Sequence, residues 1–372
     1  MNKRNTRNYN LDLLRIVCML MVIGLHTLNH GGLIEKALVP GTINWYAGNA
    51  LFTLCLQAVN GFVLISAYFL CTAKFRLSKL ASTWVQAAFY SVGVYLVLVA
   101  TGVGGTVFSL KELIKCALVV TMDRYWFVTD YILLFCLHPI LNCAIRAMSR
   151  KVHLLSCGVL LLLSSVLPNF VYVVDFSGIN GGYSLPWFCV LYLLAAYIRL
   201  YVPERVKHQK WMLPAFVLLS LIICGERFAA TFITPYIFGA VRLTSFFYSY
   251  NSVIAVPCVL ALFQSFRGMR TLPAYVNRGI ATIAPLTFAV YLIHEQDVLR
   301  PILWNWLAPD AYARSPWMIP YVLLCMVGIF TACCGIEFLR RKLFRVCGVD
   351  KLIGTLCDGV QGRVQRWLSD ED

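Results

Sequence analysis

The sequence predicts an all-α integral membrane protein of about ten transmembrane helices, with both termini in the cytoplasm. Three observations support this fold class: the composition, the recurring apolar runs and the distribution of Lys and Arg. Of the 372 residues, 60% are hydrophobic and only 13% are charged. This composition leaves too little polar surface to coat a soluble globule.

Ten apolar runs are long enough to cross the roughly 30 Å hydrocarbon core as helices, the form that satisfies the backbone within lipid. They are 10–29, 47–71, 82–102, 126–148, 153–170, 184–201, 211–226, 249–266, 280–298 and 317–339. The first has no small-residue cleavage site, so we expect it to be retained. A shorter run at 110–121 carries three charged residues and is predicted to be interfacial or re-entrant.

These runs fill a membrane domain over 1–345, followed by a short cytoplasmic tail over 346–372 that is predicted to form an amphipathic helix on the inner membrane surface. The 15 cysteines lie mostly within apolar runs and lack paired ligand spacing. We therefore expect packing cysteines and no metal.

Lys and Arg concentrate on one side of the predicted topology. With a cytoplasmic N-terminus, 23 of the 32 basic residues fall in inside segments and 8 in outside segments. This asymmetry is a strong orientation signal. It accounts for most of the formal net charge of +15, and no basic surface patch with interleaved aromatics indicates nucleic acid. Membrane lipid is the expected partner.

The first run carries Asp12, Arg15 and His26, which a lipid-facing helix would avoid. Arg15 and His26 are eleven positions apart, which places them within about 20° of one helix face and about 16 Å apart along the axis. Asp12 can pair with Arg15, and an interfacial anchoring pair is the ordinary alternative. His26 suits a general base, whereas a satisfied packing histidine is its alternative. We expect His30 to be a surface residue.

The ninth run contains "PLTFAVYLIHEQDVLRP". Both this run and the first are predicted to run outward, so His294 and His26 should lie at similar depth. Glu295 and Asp297 follow His294 as candidate orienting carboxylates. We expect an outer cluster with His26, His294 and Glu295 in catalytic roles, although polar residues also commonly end helices.

Two further pairs are candidate binding residues. Arg76 and Lys79, three positions apart and predicted to share one helix face on the cytoplasmic side, suit the phosphates of a nucleotide-like cofactor, with topology enforcement as the alternative. Trp126 and Tyr131, at the outer end of the fourth run, suit stacking on a sugar ring, with an interfacial aromatic belt as the alternative. An oxyanion stabiliser has four undistinguished candidates: Asn60, Ser66, Tyr68 and Tyr131.

Several stretches resemble the bacterial membrane acyltransferase type 3 family, which O-acetylates surface polysaccharides and related envelope glycans. They are "NYNLDLLRIVCMLMVIGLH", "VNGFVLISAYFL", "RYWFVTDYILLFCLHPILN" and "FAVYLIH". The chain differs in having Ala67 where the family usually has glycine, and Lys79 where a second arginine is common.

The resemblance implies acyl transfer from cytoplasmic acetyl-CoA, through a multi-pass protein of the bacterial cytoplasmic membrane, to a hydroxyl of an envelope polysaccharide or lipid-linked glycan. It also implies that Arg15 and His26 form the essential first-helix pair, with Arg15, Arg76 and Lys79 holding the donor. We expect the membrane domain to complete the transfer alone or to hand the acyl group over to a separate envelope partner protein. A transporter or flippase for a lipid-linked or small polar substrate is the alternative, and a catalytically silent assembly factor is a third.

Overall fold

The computed structural model describes residues 7–170, 178–238 and 247–369. Within these residues the regular structure is entirely helical. The first nine α-helices are α1 Tyr9–Asn29, α2 Ile43–Cys55, α3 Ala58–Leu70, α4 Leu77–Thr101, α5 Leu110–Ala117, α6 Trp126–Ala147, α7 Arg150–Leu161, α8 Leu167–Phe170 and α9 Leu185–Tyr201. They are followed by α10 Met212–Phe228, α11 Thr234–Phe238, α12 Ala255–Arg267, α13 Ala274–Ile283, α14 Thr287–His294, α15 Leu299–Leu307, α16 Met318–Val346 and α17 Val349–Ser369.

The helical architecture matches the predicted multi-pass membrane fold. Eight continuous helical segments of the described chain are long and apolar enough to cross a membrane, and α9 and α12 are shorter apolar helices. Together these ten segments coincide with the ten predicted runs. The number of crossings and the side of each terminus stay predictions.

Local sequence explains several helix boundaries. The side chains of Asn8, Thr42, Ser109 and Ser149 accept hydrogen bonds from backbone N–H groups of the first turns of α1, α2, α5 and α7, respectively. Such N-caps satisfy donors that have no partner within the helix. The predicted 280–298 run was too long at its C-terminal end, because α14 ends at His294 and the chain then turns.

The first helix lies at the centre of the bundle. It packs against α2, α3, α12, α13, α14 and α16, and most of its apolar residues are buried. The tail helix α17 packs against α4, where Gln361 accepts a hydrogen bond from the backbone N–H of Leu77 at 3.0 Å and donates one to the carbonyl of Phe75 at 3.3 Å. The central position of α1 places its polar residues inside the protein and away from lipid.

Candidate active site

His26 and His294 meet where α1 and α14 pack together. Nδ1 of His26 lies 3.0 Å from Nε2 of His294, and Nδ1 of His294 lies 2.5 Å from the carbonyl oxygen of Val290. Because a carbonyl only accepts, Nδ1 of His294 carries the proton and Nε2 of neutral His294 accepts one from His26. Neutral His26 therefore has its lone pair on Nε2, as a general base requires.

Glu295 lies beside these two rings and is almost completely buried. Its Oε2 is 3.0 Å from Nδ1 of His26, and its Oε1 is 3.4 Å from Nε2 of His30 and 2.7 Å from Nη1 of Arg300. Burial acts to raise the pKa of Glu295, but the neighbouring imidazoles of His26 and His30 outweigh it and hold the pKa below its ordinary value. The carboxylate is thus ionised and can stabilise a protonated His26.

We call His26, His30, His294 and Glu295 the imidazole cluster. The structure confirms the predicted proximity of His26, His294 and Glu295, whose catalytic roles stay predictions. His30 differs from the expectation of a plain surface residue. His30 is exposed as expected, but its Nε2 also lies 3.4 Å from Oε1 of Glu295, because the i,i+4 spacing from His26 places both rings on one face of α1.

Asp297 does not contact the imidazoles, contrary to its predicted orienting role. Its Oδ2 accepts from Nε of Arg124 at 3.1 Å, and Nη2 of Arg124 reaches Glu112 at 2.6 Å. Nη2 of Arg300 lies 3.9 Å from the other oxygen of Asp297. The charges of Glu112, Arg124, Asp297, Arg300 and Glu295 alternate, and this chain of ion pairs links α5 to the imidazole cluster.

A cavity of about 470 Å³ opens beside the imidazole cluster. His26, His30, Glu295 and Arg300 line one end of it. Its wall also includes the aromatic rings of Phe62, Trp126, Phe127, Tyr131, Tyr183, Tyr250, Phe288 and Tyr291. Such a wall can hold a flat apolar face, such as that of a sugar ring.

Three of these rings form a connected group. The ring centroid of Tyr183 lies 4.6 Å from that of Trp126 and 4.8 Å from that of Tyr250. Trp126 therefore faces the protein interior and is not merely part of an interfacial belt. Tyr131 also lines the cavity, stacked nearly parallel to Phe127 with centroids 6.2 Å apart.

A second cavity, of about 690 Å³, contains Arg15, Arg76 and Lys79 in its wall. We call these three residues the basic mouth. Arg76 and Lys79 do not share a helix face as predicted, because Arg76 is the extended N-cap residue before α4 and only Lys79 belongs to the first turn. Asp350, Gly354 and Asp358 of the tail helix line the same cavity.

The two cavities meet in the middle of the protein. Arg15, Ser66, Thr83 and Tyr131 line both of them. The two cavities therefore adjoin at these shared residues, between the basic mouth and the imidazole cluster. The predicted face that carries Arg15 and His26 is the face that lines these cavities.

Asp12 pairs with Arg15 as predicted. Its carboxylate accepts from Nη1 of Arg15 at 2.9 Å and from Nε of Arg7 at 2.5 Å. Since a guanidinium has five N–H donors, one bond to Asp12 leaves Arg15 able to bind an anion. The ion pair and a role in binding are therefore compatible.

The four oxyanion candidates fall into two groups. Asn60 donates to the carbonyl of Tyr250 at 2.8 Å and accepts from Nε1 of Trp187 at 3.0 Å, and the hydroxyl of Tyr68 accepts from Arg199 at 2.8 Å. The side chains of Asn60 and Tyr68 are therefore engaged in hydrogen bonds within the protein. Ser66 and Tyr131 line both cavities, so they remain candidates.

Sequence reasoning missed several cavity residues, among them His30, Arg300, Tyr183 and Tyr250. The i,i+4 spacing from His26 was a usable signal for His30. Arg300 stands five residues after Glu295 in a stretch already singled out. Tyr183 precedes the predicted run 184–201 and Tyr250 is near the start of the run 249–266, but both lie in irregular segments of the structure, where no periodicity predicts their contact.

A separate buried ion cluster lies on α16. Glu337 is 0% exposed and accepts hydrogen bonds from Arg340, Arg341 and the hydroxyl of Tyr90, the last at 2.7 Å. Every partner is a donor, so the carboxylate is fully engaged in a structural contact. This pairing gives Glu337 no free proton site of the kind that a proton-coupled transporter uses.

Comparisons with known proteins complete the description of the site. No curated protein matches the chain. No solved structure matches it. The family model Acyl_transf_3, described as an acyltransferase domain, matches residues 8–337. That range includes Arg15, the imidazole cluster and the basic mouth, and the resemblance stated from sequence is confirmed: the chain belongs to this acyltransferase family.

Proposed function

We propose that the protein transfers an acetyl group from cytoplasmic acetyl-CoA across the membrane to a hydroxyl of an envelope polysaccharide or other cell-surface glycan. One observation carries the proposal: a cavity with a basic end meets a cavity with an imidazole–carboxylate end, and the two share Arg15. The predicted topology puts the basic end on the cytoplasmic side. The site would therefore admit the donor and the acceptor from opposite sides.

The basic mouth suits the phosphates of coenzyme A. Arg15, Arg76 and Lys79 bring three positive charges to one cavity, which exceed the two negative charges of Asp350 and Asp358 in the same wall. Charge-assisted hydrogen bonds to phosphate are among the stronger polar contacts. Arg15 and His26 are about 16 Å apart along α1. This separation is comparable with the extended pantetheine arm, so a donor anchored at the mouth would present its thioester near His26.

The imidazole cluster suits activation of the acceptor hydroxyl. Nε2 of His26 would accept the hydroxyl proton while the hydroxyl oxygen attacks the thioester carbonyl. Collapse of the tetrahedral intermediate breaks the C–S bond, and the proton passes from His26 to the departing sulfur. Glu295, 3.0 Å from Nδ1, would stabilise the transient imidazolium. A variant route, in which Nε2 of His26 carries the acetyl group briefly, uses the same residues.

The aromatic wall suits a glycan acceptor. Trp126, Tyr183 and Tyr250 offer adjoining ring faces within one cavity, next to His26. Sugar rings present C–H faces that stack on aromatic rings while their hydroxyls point outward. This arrangement, in a multi-pass protein of the bacterial cytoplasmic membrane, would place an acceptor hydroxyl beside the base. A separate envelope protein is a compatible partner for later transfer.

The test measures base-labile acetate on envelope polysaccharide. Cells carry the wild-type protein, a deletion, His26→Ala or His208→Ala at matched membrane abundance. His208 is exposed and outside both cavities, which makes it the control for loss of a histidine. We expect acetate in the wild type and His208→Ala, and deletion-level acetate in His26→Ala. Equal acetate in all four strains would rule out this acceptor class, and uptake of radiolabelled lipid-linked sugar would then test transport.

A further inference from the structure

The imidazole cluster has the composition and spacing of a metal site. His26, His30 and Glu295 each offer one ligand atom, and these three atoms lie within 4.8 Å of one another. His26 and His30 are four residues apart on one face of α1, the spacing by which one helix offers two imidazoles to a single ion. Two histidines and one glutamate are also a recurring protein ligand set for zinc with an open position.

The distances within the cluster are close to those of a coordination shell. Ligands about 2.1 Å from a tetrahedral zinc ion are separated from one another by roughly 3.4 Å. Nε2 of His30 is 3.4 Å from Oε1 of Glu295, and Nδ1 of His26 is 3.0 Å from both Oε2 of Glu295 and Nε2 of His294. Small side-chain shifts would suffice to admit an ion.

A buried carboxylate oxygen that lacks a hydrogen bond gives an independent indication. Oε2 of Glu295 is buried, and Nδ1 of His26, 3.0 Å away, donates its proton to Nε2 of His294 instead. A buried carboxylate oxygen with unused lone pairs is unfavourable unless a proton or cation satisfies it. The adjoining cavity provides space for an entering ion and for the water that would complete its shell.

The surroundings of the cluster also suit a metal ion. Nδ1 of His294 donates to the carbonyl of Val290, the kind of outer contact that orients a metal-binding histidine, and this keeps the Nε2 lone pair directed at His26, 3.0 Å away. Arg300 now pairs with Glu295 at 2.7 Å, but its other nitrogen is 3.9 Å from Asp297. Arg300 can therefore move towards Asp297 when a cation binds to Glu295.

We propose that His26, His30 and Glu295 bind one Zn²⁺ ion, with His294 alongside, and that this ion inhibits the enzyme. For Nδ1 of His26 to bind zinc, the ring proton moves from Nδ1 to Nε2. The lone pair that would accept the acceptor's proton is then lost, so metal and general-base activity exclude each other. The inhibitory part depends on the proposed function; the binding part does not.

Binding is tested on the purified full chain in detergent, without turnover. Zinc bound after equilibrium dialysis is measured for the wild type, His30→Gln, Glu295→Gln and the control His208→Gln. We expect His30→Gln and Glu295→Gln to lose one equivalent of bound zinc, or to bind it more than about tenfold more weakly. His208→Gln should bind zinc as the wild type does. Gel filtration confirms that each variant is folded, and His30→Asn replaces any variant that aggregates.

The chain's 15 free cysteines are the main competing zinc ligands, so Co²⁺ is used as a spectroscopic probe. Cobalt held by imidazole and carboxylate in a tetrahedral site absorbs in the visible without the near-ultraviolet thiolate band. Equal zinc binding in all four proteins, or a cobalt spectrum dominated by thiolate in each, would overturn the proposal.

Inhibition is measured as acetate transfer in membranes carrying the wild type or His30→Gln. Each rate is expressed relative to the metal-free rate of the same protein, because His30 lines the catalytic cavity and its replacement can change the basal rate. We expect zinc to suppress wild-type transfer, a chelator to restore it, and the variant to need more than about tenfold more zinc for the same fractional loss. Zinc binding without any wild-type transfer would refute the proposed function alone. Wild-type transfer that zinc does not suppress would refute inhibition alone.

Discussion

Replacing Glu295 with glutamine tests how the carboxylate supports His26. The substitution keeps the shape of the side chain and removes its charge. At an effective dielectric constant of about 20, unit charges 3.0 Å apart interact by about 5.5 kcal/mol. Arg300, 2.7 Å from the other oxygen, offsets part of this attraction in the protonated state. About half of it, roughly 2.7 kcal/mol or a 100-fold loss of rate, is expected to remain.

The loss should not be larger, because His294 also controls the tautomer of His26. With the amide at 295, Nε2 of His294 still accepts the proton of His26 Nδ1 at 3.0 Å. The base lone pair therefore stays on Nε2, and only the charge stabilisation is lost. The double variant Glu295→Gln/His294→Gln removes both acceptors and should lose roughly another tenfold or more.

The assay is the rate of acetate appearance on envelope polysaccharide, at matched membrane abundance and saturating acetyl-CoA. Glu35→Gln is the control: it also removes the charge of a glutamate, but Glu35 is exposed and lies outside both cavities. The control should retain the wild-type rate. A Glu295→Gln rate within about threefold of wild type would show that the carboxylate does not stabilise His26 during transfer.

Three further predictions concern other parts of the molecule. Arg76→Gln should raise the KM for acetyl-CoA about tenfold with little change in kcat, whereas Arg76→Lys should have a KM close to that of the wild type. A lower kcat with an unchanged KM would contradict a role of Arg76 in donor binding. Glu337→Gln should destabilise the protein by about 3 kcal/mol or more, because it leaves Arg340 and Arg341 without their buried carboxylate. The unfolding temperature in detergent should fall, and an unchanged temperature would contradict this prediction. An impermeant maleimide at pH 8 should label the exposed Cys347 only from the cytoplasmic side, judged against Cys347→Ser, whereas the buried Cys71 should stay unlabelled. Labelling of Cys347 from outside would contradict the predicted topology.

The sequence alone determined the helical architecture and the face of the first helix along which the site lies. Hydropathy and the need to satisfy the backbone in lipid are local properties, so ten apolar runs were readable, each of which overlaps an observed helical segment. The common face of Arg15 and His26 follows from helical periodicity within one segment. The similar depth of His26 and His294 in the membrane was predicted because the two helices that carry them are both expected to run outward.

Only the tertiary structure decided what these residues contact. The 3.0 Å approach of His26 to His294, the pairing of Glu295 with Arg300 and the diversion of Asp297 to Arg124 depend on how helices and turns pack. So do the meeting of the two cavities and the aromatic wall built from distant segments. Hydropathy and periodicity place residues along and around their own helix, but contacts between helices depend on rotations, kinks and loops that no single segment encodes.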